Sequence, residues 1–456
     1  MNASSAPSRA TRLAVDARAI LTLGLPLLIA NLSVTGMSLA DTLMAGRLGA
    51  PALASVAIGT SYYVIFMSIG LGVTTALSPL VAHAYGGGND ERVGEYARQG
   101  AWIGLVLAIL LMAGLAVARP VLVLIRIGPD ILPDAVGYVW AVTAAMPALM
   151  GFEVLRFVSE GLGRTRPIMV ISVLGLATNI VGNWVFMYGK LGMPALGAVG
   201  TGVATATVQW VMFVALLRHV RRHQAYRPYR IFARFEWPRA ALIREILALG
   251  IPIGGSMVAE TALFACAGLM IGALGATVVA AHQIALNYAS FMFTTPLALH
   301  SATTIYVGHA LGRGDHDGAR RGGFVGIGLC AALMMLSALV LVQANGAIAR
   351  LYTRDPAVAS LASGLLLLAA IFQVSDGLQV GGMGALRGFK DARVPMLLTI
   401  GSYWLVGFPI AFVLGVVRGG GPSGVWYGLI AGLTVSAIAL NLRYSLLSRR
   451  APQAGL

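Results

Sequence analysis

The sequence predicts an all-α integral membrane protein with twelve transmembrane helices arranged as two six-helix lobes. Three observations predict this class: a very apolar composition, twelve separable apolar segments and an internal repeat. Of the 456 residues 58% are hydrophobic and 11% are charged, and the mean hydropathy is +0.81. Soluble domains carry about 25% charged residues. The composition therefore excludes a soluble enzyme.

Polar breaks divide the chain into twelve apolar segments, each long enough for a membrane helix of about 20 residues. The predicted spans cover residues 19–44, 53–82, 98–118, 131–161, 167–188, 196–217, 241–272, 277–310, 322–345, 357–385, 394–416 and 424–447. An even number of spans places both termini on the same side of the membrane.

The basic residues indicate which side that is. On the side of the termini lie 25 of the 32 Lys and Arg residues, and 7 lie on the opposite side. Because cytoplasmic loops carry an excess of Lys and Arg, both termini are predicted to be cytoplasmic. The net charge of +15 therefore reflects the excess of basic residues in the cytoplasmic loops. Nucleic acid is not expected as a partner.

An internal repeat, which places position 20 on position 246, supports the two-lobe arrangement. It superposes ILTLGLP (20–26) on ILALGIP (246–252), and about a third of the positions from 20 to 59 are identical to their counterparts. Because six spans is an even number, the two repeats run parallel. The predicted organisation is a cytoplasmic tail (1–18), an N-lobe (19–217), a cytoplasmic loop (218–240), a C-lobe (241–447) and a second cytoplasmic tail (448–456).

Nucleotide-driven transport is not indicated, because a phosphate-binding P-loop needs a Lys followed by Ser or Thr. Lys190 precedes Leu191 and Lys390 precedes Asp391. Neither an enzymatic activity nor a cofactor is expected. A chain with two such repeats is typical of a secondary transporter, in which an ion gradient supplies the energy.

Three acidic residues lie deep in apolar runs: Asp41, Glu260 and Asp376. Placing a carboxylate at the centre of a membrane helix costs about 2.5 to 3.5 kcal/mol, so such residues are usually functional and need a proton, a cation or water nearby. We interpret all three as binding residues, although hydrogen-bonded structural carboxylates are the alternative. Glu153 and Glu160 instead have arginines at i+3 or i+4, a spacing typical of local ion pairs.

Two amide pairs follow helical i, i+4 spacing: Asn179 with Asn183, and Gln283 with Asn287. Their oxygens suit a hard cation, but amides also hold membrane helices together by hydrogen bonding. We keep both interpretations, with Gln283 and Asn287 as residues that could line a substrate cleft.

Three strings resemble the multidrug and toxic compound extrusion (MATE) transporters, most closely the NorM-type branch: ADTLMAGRLGAPALASVAIG (40–59), NIVGNWVFMYGKLGMPALGAVGTGVATA (179–206) and RGFKDARVPM (387–396). The resemblance extends from about 19 to 447. It implies two six-helix bundles around a V-shaped cleft, and exchange of organic cations for Na⁺ or H⁺.

The resemblance also implies roles for individual residues. Asp41 matches the aspartate of the family's first helix, and the polar positions of the N-lobe cation site fall on Asn179, Asn183 and Thr201. The C-lobe carboxylates fall on Glu260 and Asp376, where Na⁺ is expected. One turn before that aspartate the family has a tyrosine, whereas this chain has Phe372, which we also place among the residues that line the cleft.

The function expected from these features is an antiporter that exports organic cations in exchange for Na⁺, or alternatively H⁺, by alternating access. The expected setting is the inner membrane of a bacterium, with membrane lipid around a monomeric chain and no nucleotide partner. A flippase for lipid-linked oligosaccharides is the alternative. Its phosphate-bearing substrate would need arginines within the spans, and the sequence places none at mid-span.

Overall fold

The computed structural model describes residues 8–450. Within that range the chain is built from helices and contains no β-strand. Two compact units can be distinguished. We call residues 29–254 the N-unit, and residues 8–28 together with 255–450 the C-unit. The all-helical membrane architecture predicted from the sequence is confirmed.

The N-unit contains most of the first half of the chain. Its helices are α1 (Arg9–Gly46, from residue 29 onward), α2 (Ala50–Thr74), α3 (Leu77–Gly86), α4 (Asp90–Ala116), α5 (Ala118–Leu124), α6 (Leu132–Thr143), α7 (Met146–Gly161), α8 (Arg166–Tyr188) and α9 (Gly197–Arg222), followed by a 3₁₀ turn (Gln224–Tyr229). Its core is a cluster of buried apolar side chains that includes Tyr138, Leu149 and Met150.

The C-unit contains most of the second half of the chain in fewer helices. Its helices are α10 (Ala240–Gly272, from residue 255 onward), α11 (Ala276–Gly312), α12 (His316–Tyr352), α13 (Pro356–Gly388), α14 (Arg393–Gly401), α15 (Phe408–Phe412) and α16 (Gly421–Arg450), with π-helical turns at Ser402–Gly407 and Val413–Val417. Buried Trp426, Tyr403 and Leu365 belong to its main core.

The helix ends repeat with the period found in the sequence. Helices α1 and α10 end at residues 46 and 272, α2 and α11 begin at 50 and 276, and α4 and α12 begin at 90 and 316. The turn glycines Gly49 and Gly275 have φ of 111° and 105°, a conformation that glycine adopts far more easily than other residues. Asn89 caps α4 and Asp315 caps α12 through side-chain bonds to the backbone. The local signals that set these boundaries are therefore duplicated as well.

Ten helical spans in residues 8–450 are long and apolar enough to cross a membrane, and α6 with α7 forms an eleventh that bends by 49°. Helix α11 has 37 residues but is not among these spans, because its three histidines and two amides lower its hydropathy. Together these elements account for the twelve predicted spans. Pro26 and Pro252, equivalent under the repeat, lie inside α1 and α10.

The helices extend beyond some of the predicted spans. Helix α1 begins at Arg9, within the predicted cytoplasmic tail of residues 1–18. The second span, predicted at 53–82, covers residues 50–86 as α2 and α3, with a turn at residues 75–76 between them. The parts of the predicted tails at 1–7 and 451–456 lie outside the described residues, and the division into lobes at 218–240 stays a prediction.

Candidate functional site

In the N-unit, Asp41 is held by the two asparagines of α8. Its Oδ1 accepts a hydrogen bond from Asn179 Nδ2 at 2.9 Å and another from Asn183 Nδ2 at 2.6 Å. The asparagines are one helical turn apart and therefore share a face of α8. Close packing brings the helices together, since a Cβ on Gly36 of α1 would lie 3.3 Å from the Leu176 side chain. Three of the residues predicted from the sequence thus meet.

Further polar groups of the N-unit remain without partners. Within the described residues, Asn183 Oδ1 and Thr201 Oγ1 are buried and have no hydrogen-bond partner. Helix α9, which carries Thr201, packs on α8 where Gly182 approaches Ala204. Tyr138 of α6 interacts electrostatically with Asp41. A buried oxygen without a partner destabilises the folded protein. A cation or a polar substrate group that binds these oxygens would remove that cost.

In the C-unit, Asp376 of α13 is only 3% exposed. Its carboxylate accepts no hydrogen bond from any residue between 8 and 450. It interacts electrostatically with Glu260 of α10, which is partly exposed. Two neighbouring carboxylates in an apolar environment repel each other and are poorly solvated. Either one of them binds a proton, or a cation lies beside the pair.

An arginine also belongs to this group. Arg387 is buried in the last turn of α13 and interacts electrostatically with Glu260. The ring of His300 bridges Arg387 Nη1 at 3.0 Å and the carbonyl oxygen of Val380 at 2.9 Å. Because a carbonyl only accepts, Nδ1 of His300 carries the proton and Nε2 accepts from Arg387. His300 is therefore neutral and connects Arg387 to the backbone of α13.

A tyrosine hydroxyl is present in the C-unit, although not at position 372. Tyr403 is fully buried and interacts electrostatically with both Glu260 and Asp376. Its hydroxyl accepts a hydrogen bond from Gln379 Nε2 at 2.5 Å. Gln379 follows Asp376 by three residues and lies on the same face of α13, and its Oε1 has no partner among the described residues.

The three residues expected to line a cleft have different environments. Gln283 and Asn287 are exposed on α11, and Asn287 accepts a hydrogen bond from Tyr352 at 3.4 Å. Phe372, in contrast, is 5% exposed. It packs edge to face against Phe264 and Trp426, with ring centroids 6.0 and 5.7 Å apart. The aromatic cluster thus encloses the Phe372 ring, and the expectation that Phe372 lines a cleft stays a prediction.

The acidic pair of α7 forms local ion pairs, as its spacing predicts. Arg156 binds Glu160 at 2.8 Å and Glu153 at 3.4 Å. The second arginine near them, Arg164, lies instead over the ring of Tyr226, 5.2 Å from its centroid. Both carboxylates pair with Arg156 inside α7, although Glu153 Oε2 is buried and has no hydrogen-bond partner among the described residues. We do not include them in the candidate site.

Sequence reasoning missed Tyr138, Tyr403, Gln379, His300 and Arg387. Tyrosines in apolar spans are common core residues, and a lone histidine has no partner at helical spacing that would mark a site. The usable signal is helical spacing: Gln379 and Arg387 follow Asp376 by three and eleven residues and thus lie near the same face of α13 at 3.6 residues per turn.

Two repeated units of membrane helices, each with acidic and amide side chains buried in the span region, are the architecture of a secondary transporter. Comparison with known proteins agrees. The MatE family model matches residues 26–185 and 252–413, two segments whose first positions are equivalent under the repeat. The chain belongs to this family, the MATE transporters.

Two relatives are similar over nearly their full length. The chain is 38% identical to multidrug resistance protein PmpM of Pseudomonas aeruginosa, covering 99% of this chain and 96% of the relative. It is 40% identical to multidrug resistance protein MdtK of Yersinia enterocolitica, covering 96% of each.

Solved structures share the fold. The Vibrio cholerae MATE transporter VcmN in its bent form gives a TM-score of 0.84 at 18% identity, covering 97% of this chain and 99% of that one. A eukaryotic MATE transporter gives 0.86 at 20% identity, covering 96% and 99%.

Proposed function

We propose that the protein is a secondary active antiporter that exports organic cations in exchange for Na⁺ or H⁺, in the inner membrane of a bacterium. The proposal is supported by family membership and by relatives that are named multidrug resistance proteins. It is also supported by the acidic character of the side chains gathered in both units, which favours positively charged ligands.

One observation carries the proposal: Asp376 is buried and no described residue donates a hydrogen bond to it. A buried carboxylate without donors is costly unless a proton or a cation neutralises it. Such a group is therefore sensitive to whichever cation is available. Exchange follows if the coupling ion and the drug compete for the carboxylates, so that binding of one releases the other.

For the coupling ion we favour Na⁺, which is a transported substrate here. Hard cations prefer oxygen ligands, and unpaired buried oxygens belong to Gln379 near Asp376 and to Asn183 beside Asp41. Inside-out vesicles distinguish the ions. With a Na⁺ gradient and no pH gradient we expect uptake of a fluorescent organic cation. Uptake driven only by a pH gradient in the absence of Na⁺ would assign the coupling to H⁺ and leave antiport intact.

The transport proposal itself is tested with the double variant Asp41→Asn and Glu260→Gln. We expect cells that carry it to lose drug tolerance and vesicles to lose gradient-driven uptake, because both units lose a carboxylate. The matched control is Asp134→Asn with Glu91→Gln, which removes the same charges at helix starts. Unchanged tolerance in the first variant, with equal expression, would refute the antiporter.

A further inference from the structure

A cavity of about 570 Å³ lies in the N-unit, outside the candidate site. It is open on one side and is lined by α4, α7, α9 and the loop that connects α9 to α10. The lining begins at charged residues of this loop and of the helix ends and continues along α4 to Ala108. From Arg98 to Ala108 the cavity follows ten residues of helix, or about 15 Å.

The cavity is polar at one end and apolar at the other. Arg98, Arg221, Arg234 and Glu236 line the end next to the loop. Further along α4 the lining consists of small and apolar residues, with Leu105 49% exposed. A ligand that fits both ends has a charged group and a hydrocarbon chain.

Aromatic side chains mark the opening at the level of a membrane surface. Trp102 contacts Phe235 and Trp237, with ring centroids 5.9 and 6.3 Å apart. Phe235 and Trp237 are nevertheless 72% and 74% exposed. Exposed Trp rings are typical of the membrane–water interface, and Phe235 lies beside two of them. The polar end of the cavity therefore lies at the depth of lipid headgroups.

The charge at this end is positive. Arg98 and Glu236 form an ion pair at 2.5 Å that neutralises both. Burial alone would raise the pKa of Glu236, but Arg98 and Arg239 hold that pKa below its usual value, so Glu236 stays ionised and bound to them. Arg221 lies 4.9 Å from the ring centroid of Phe232 and forms no ion pair within residues 8–450.

We propose that this cavity binds one membrane phospholipid with an anionic headgroup. Its phosphate binds Arg221, its headgroup lies against the exposed aromatic rings, and one acyl chain follows α4 toward Ala108. Basic pockets between membrane helices on the cytoplasmic side recognise anionic lipids in this way. The surplus of arginine between 218 and 230, with no acidic residue in that range, adds to the attraction.

A bound lipid would contact the loop and the adjacent parts of α4 and α9 at the same time, and would hold them together. The inference rests on the cavity, its charge and its aromatic rim. It does not depend on antiport or on the identity of the coupling ion. Its test therefore measures lipid binding.

Native mass spectrometry of the purified full-length protein, equilibrated with equal amounts of phosphatidylglycerol and phosphatidylcholine, gives the ratio of retained lipids. We expect the wild type to retain phosphatidylglycerol about five-fold more than phosphatidylcholine, the effect of one basic residue near the surface. Arg221→Gln should abolish this preference and Arg221→Lys should restore it.

The matched control is Arg222→Gln, which removes the same charge from the neighbouring position outside the cavity and should keep the preference. A second variant, Ala101→Phe, blocks the path of the acyl chain one turn from the polar end and should reduce retention of both lipids, whereas Ile109→Phe on the exposed face of α4 should not. Equal retention of the two lipids by the wild type, or equal effects of the two arginine variants, would overturn the proposal. Unchanged retention in Ala101→Phe would also overturn it.

Discussion

Asp41 and Asp376 show two ways in which a membrane protein accommodates a carboxylate. Two amide donors surround Asp41, and they lower the cost of its charge at the expense of leaving Asn183 Oδ1 unpaired. Asp376 is left without a donor from the described residues. The first arrangement stabilises the ionised form directly, whereas the second depends on what binds. At the residue scale, the charge of Asp376 therefore depends more strongly on bound cations or protons than the charge of Asp41 does.

We expect Asp376→Asn to remove Na⁺-dependent stabilisation of the protein. A ligand that binds only the folded state raises its stability, by about 2.7 kcal/mol at a concentration one hundred times its Kd. Thermal unfolding in detergent should show a Tm that rises with Na⁺ for the wild type and is insensitive to Na⁺ for the variant. In the absence of Na⁺ the variant should be at least as stable as the wild type, because an amide avoids a buried charge.

Asp317→Asn, an exposed position in the first turn of α12, is the matched control and should keep the full response to Na⁺. A variant at position 376 that still responds to Na⁺ like the wild type would show that this carboxylate is not part of the ion site.

How far the site could be predicted depends on the kind of signal each residue gives. Asp41, Glu260 and Asp376 stand out because a charge in an apolar run is rare for an energetic reason. Tyr403 and His300 do not stand out, because their chemistry depends on which helix they face. Tyr403 meets Gln379 across 24 residues, and His300 meets Arg387 across 87. No periodicity within one helix reveals such pairs.

At the scale of elements, small residues decide how closely helices pack in a membrane. Gly323 of α12 lies against Tyr444 of α16, whose hydroxyl donates to the carbonyl oxygen of Ala319 at 3.0 Å. A Cβ at Gly323 would overlap this ring and hydroxyl. Gly328, on the same helix, has open space where its Cβ would be.

The two glycines should therefore respond in opposite ways to the same substitution. Gly323→Ala should destabilise the protein by about 1 to 3 kcal/mol, the usual cost of overpacking, because the buried tyrosine has nowhere to move. Gly328→Ala should stabilise it by up to about 1 kcal/mol through the higher helix propensity of alanine. Thermal unfolding of both variants in one detergent measures the difference. Equal shifts in the same direction would contradict this description of the α12–α16 contact.

Helix boundaries could be predicted only where capping signals are local. Helices α4 and α12 begin directly after Asn89 and Asp315, which cap them, and thus extend eight and six residues before the apolar spans predicted from 98 and 322. The break between α2 and α3 and the bend between α6 and α7 were not foreseen. Apolar composition continues through both, so hydropathy does not distinguish a straight span from a broken one.

At the scale of the whole molecule, the repeat is the strongest regularity. The same offset, from position 20 to position 246, relates sequence identities, helix ends, turn glycines and the two matched segments of the family model. Hydropathy and the repeat together predicted the number and order of spans, because both are properties of the linear sequence. Which face of each span meets its neighbours depends on side-chain packing and could not be predicted in this way.

The parallel repeat and the distribution of basic residues make a joint prediction about topology. Both termini are expected in the cytoplasm, so residues 191 and 417, which are equivalent under the repeat, should lie outside. Both are exposed, Leu191 by 79% and Val417 by 65%. Exposed Gln224 and Asp317 should lie inside, on the side that carries most of the arginines.

Single cysteines at these four positions test it, in a protein whose own Cys266 and Cys330 are replaced by alanine. A membrane-impermeant maleimide should label Leu191→Cys and Val417→Cys in intact spheroplasts, and Gln224→Cys and Asp317→Cys only after the membrane is opened. The reverse pattern would keep the parallel repeat and invert the orientation. Labelling of only one of positions 191 and 417 from outside would disprove the parallel repeat itself, because an even number of spans must separate two equivalent positions.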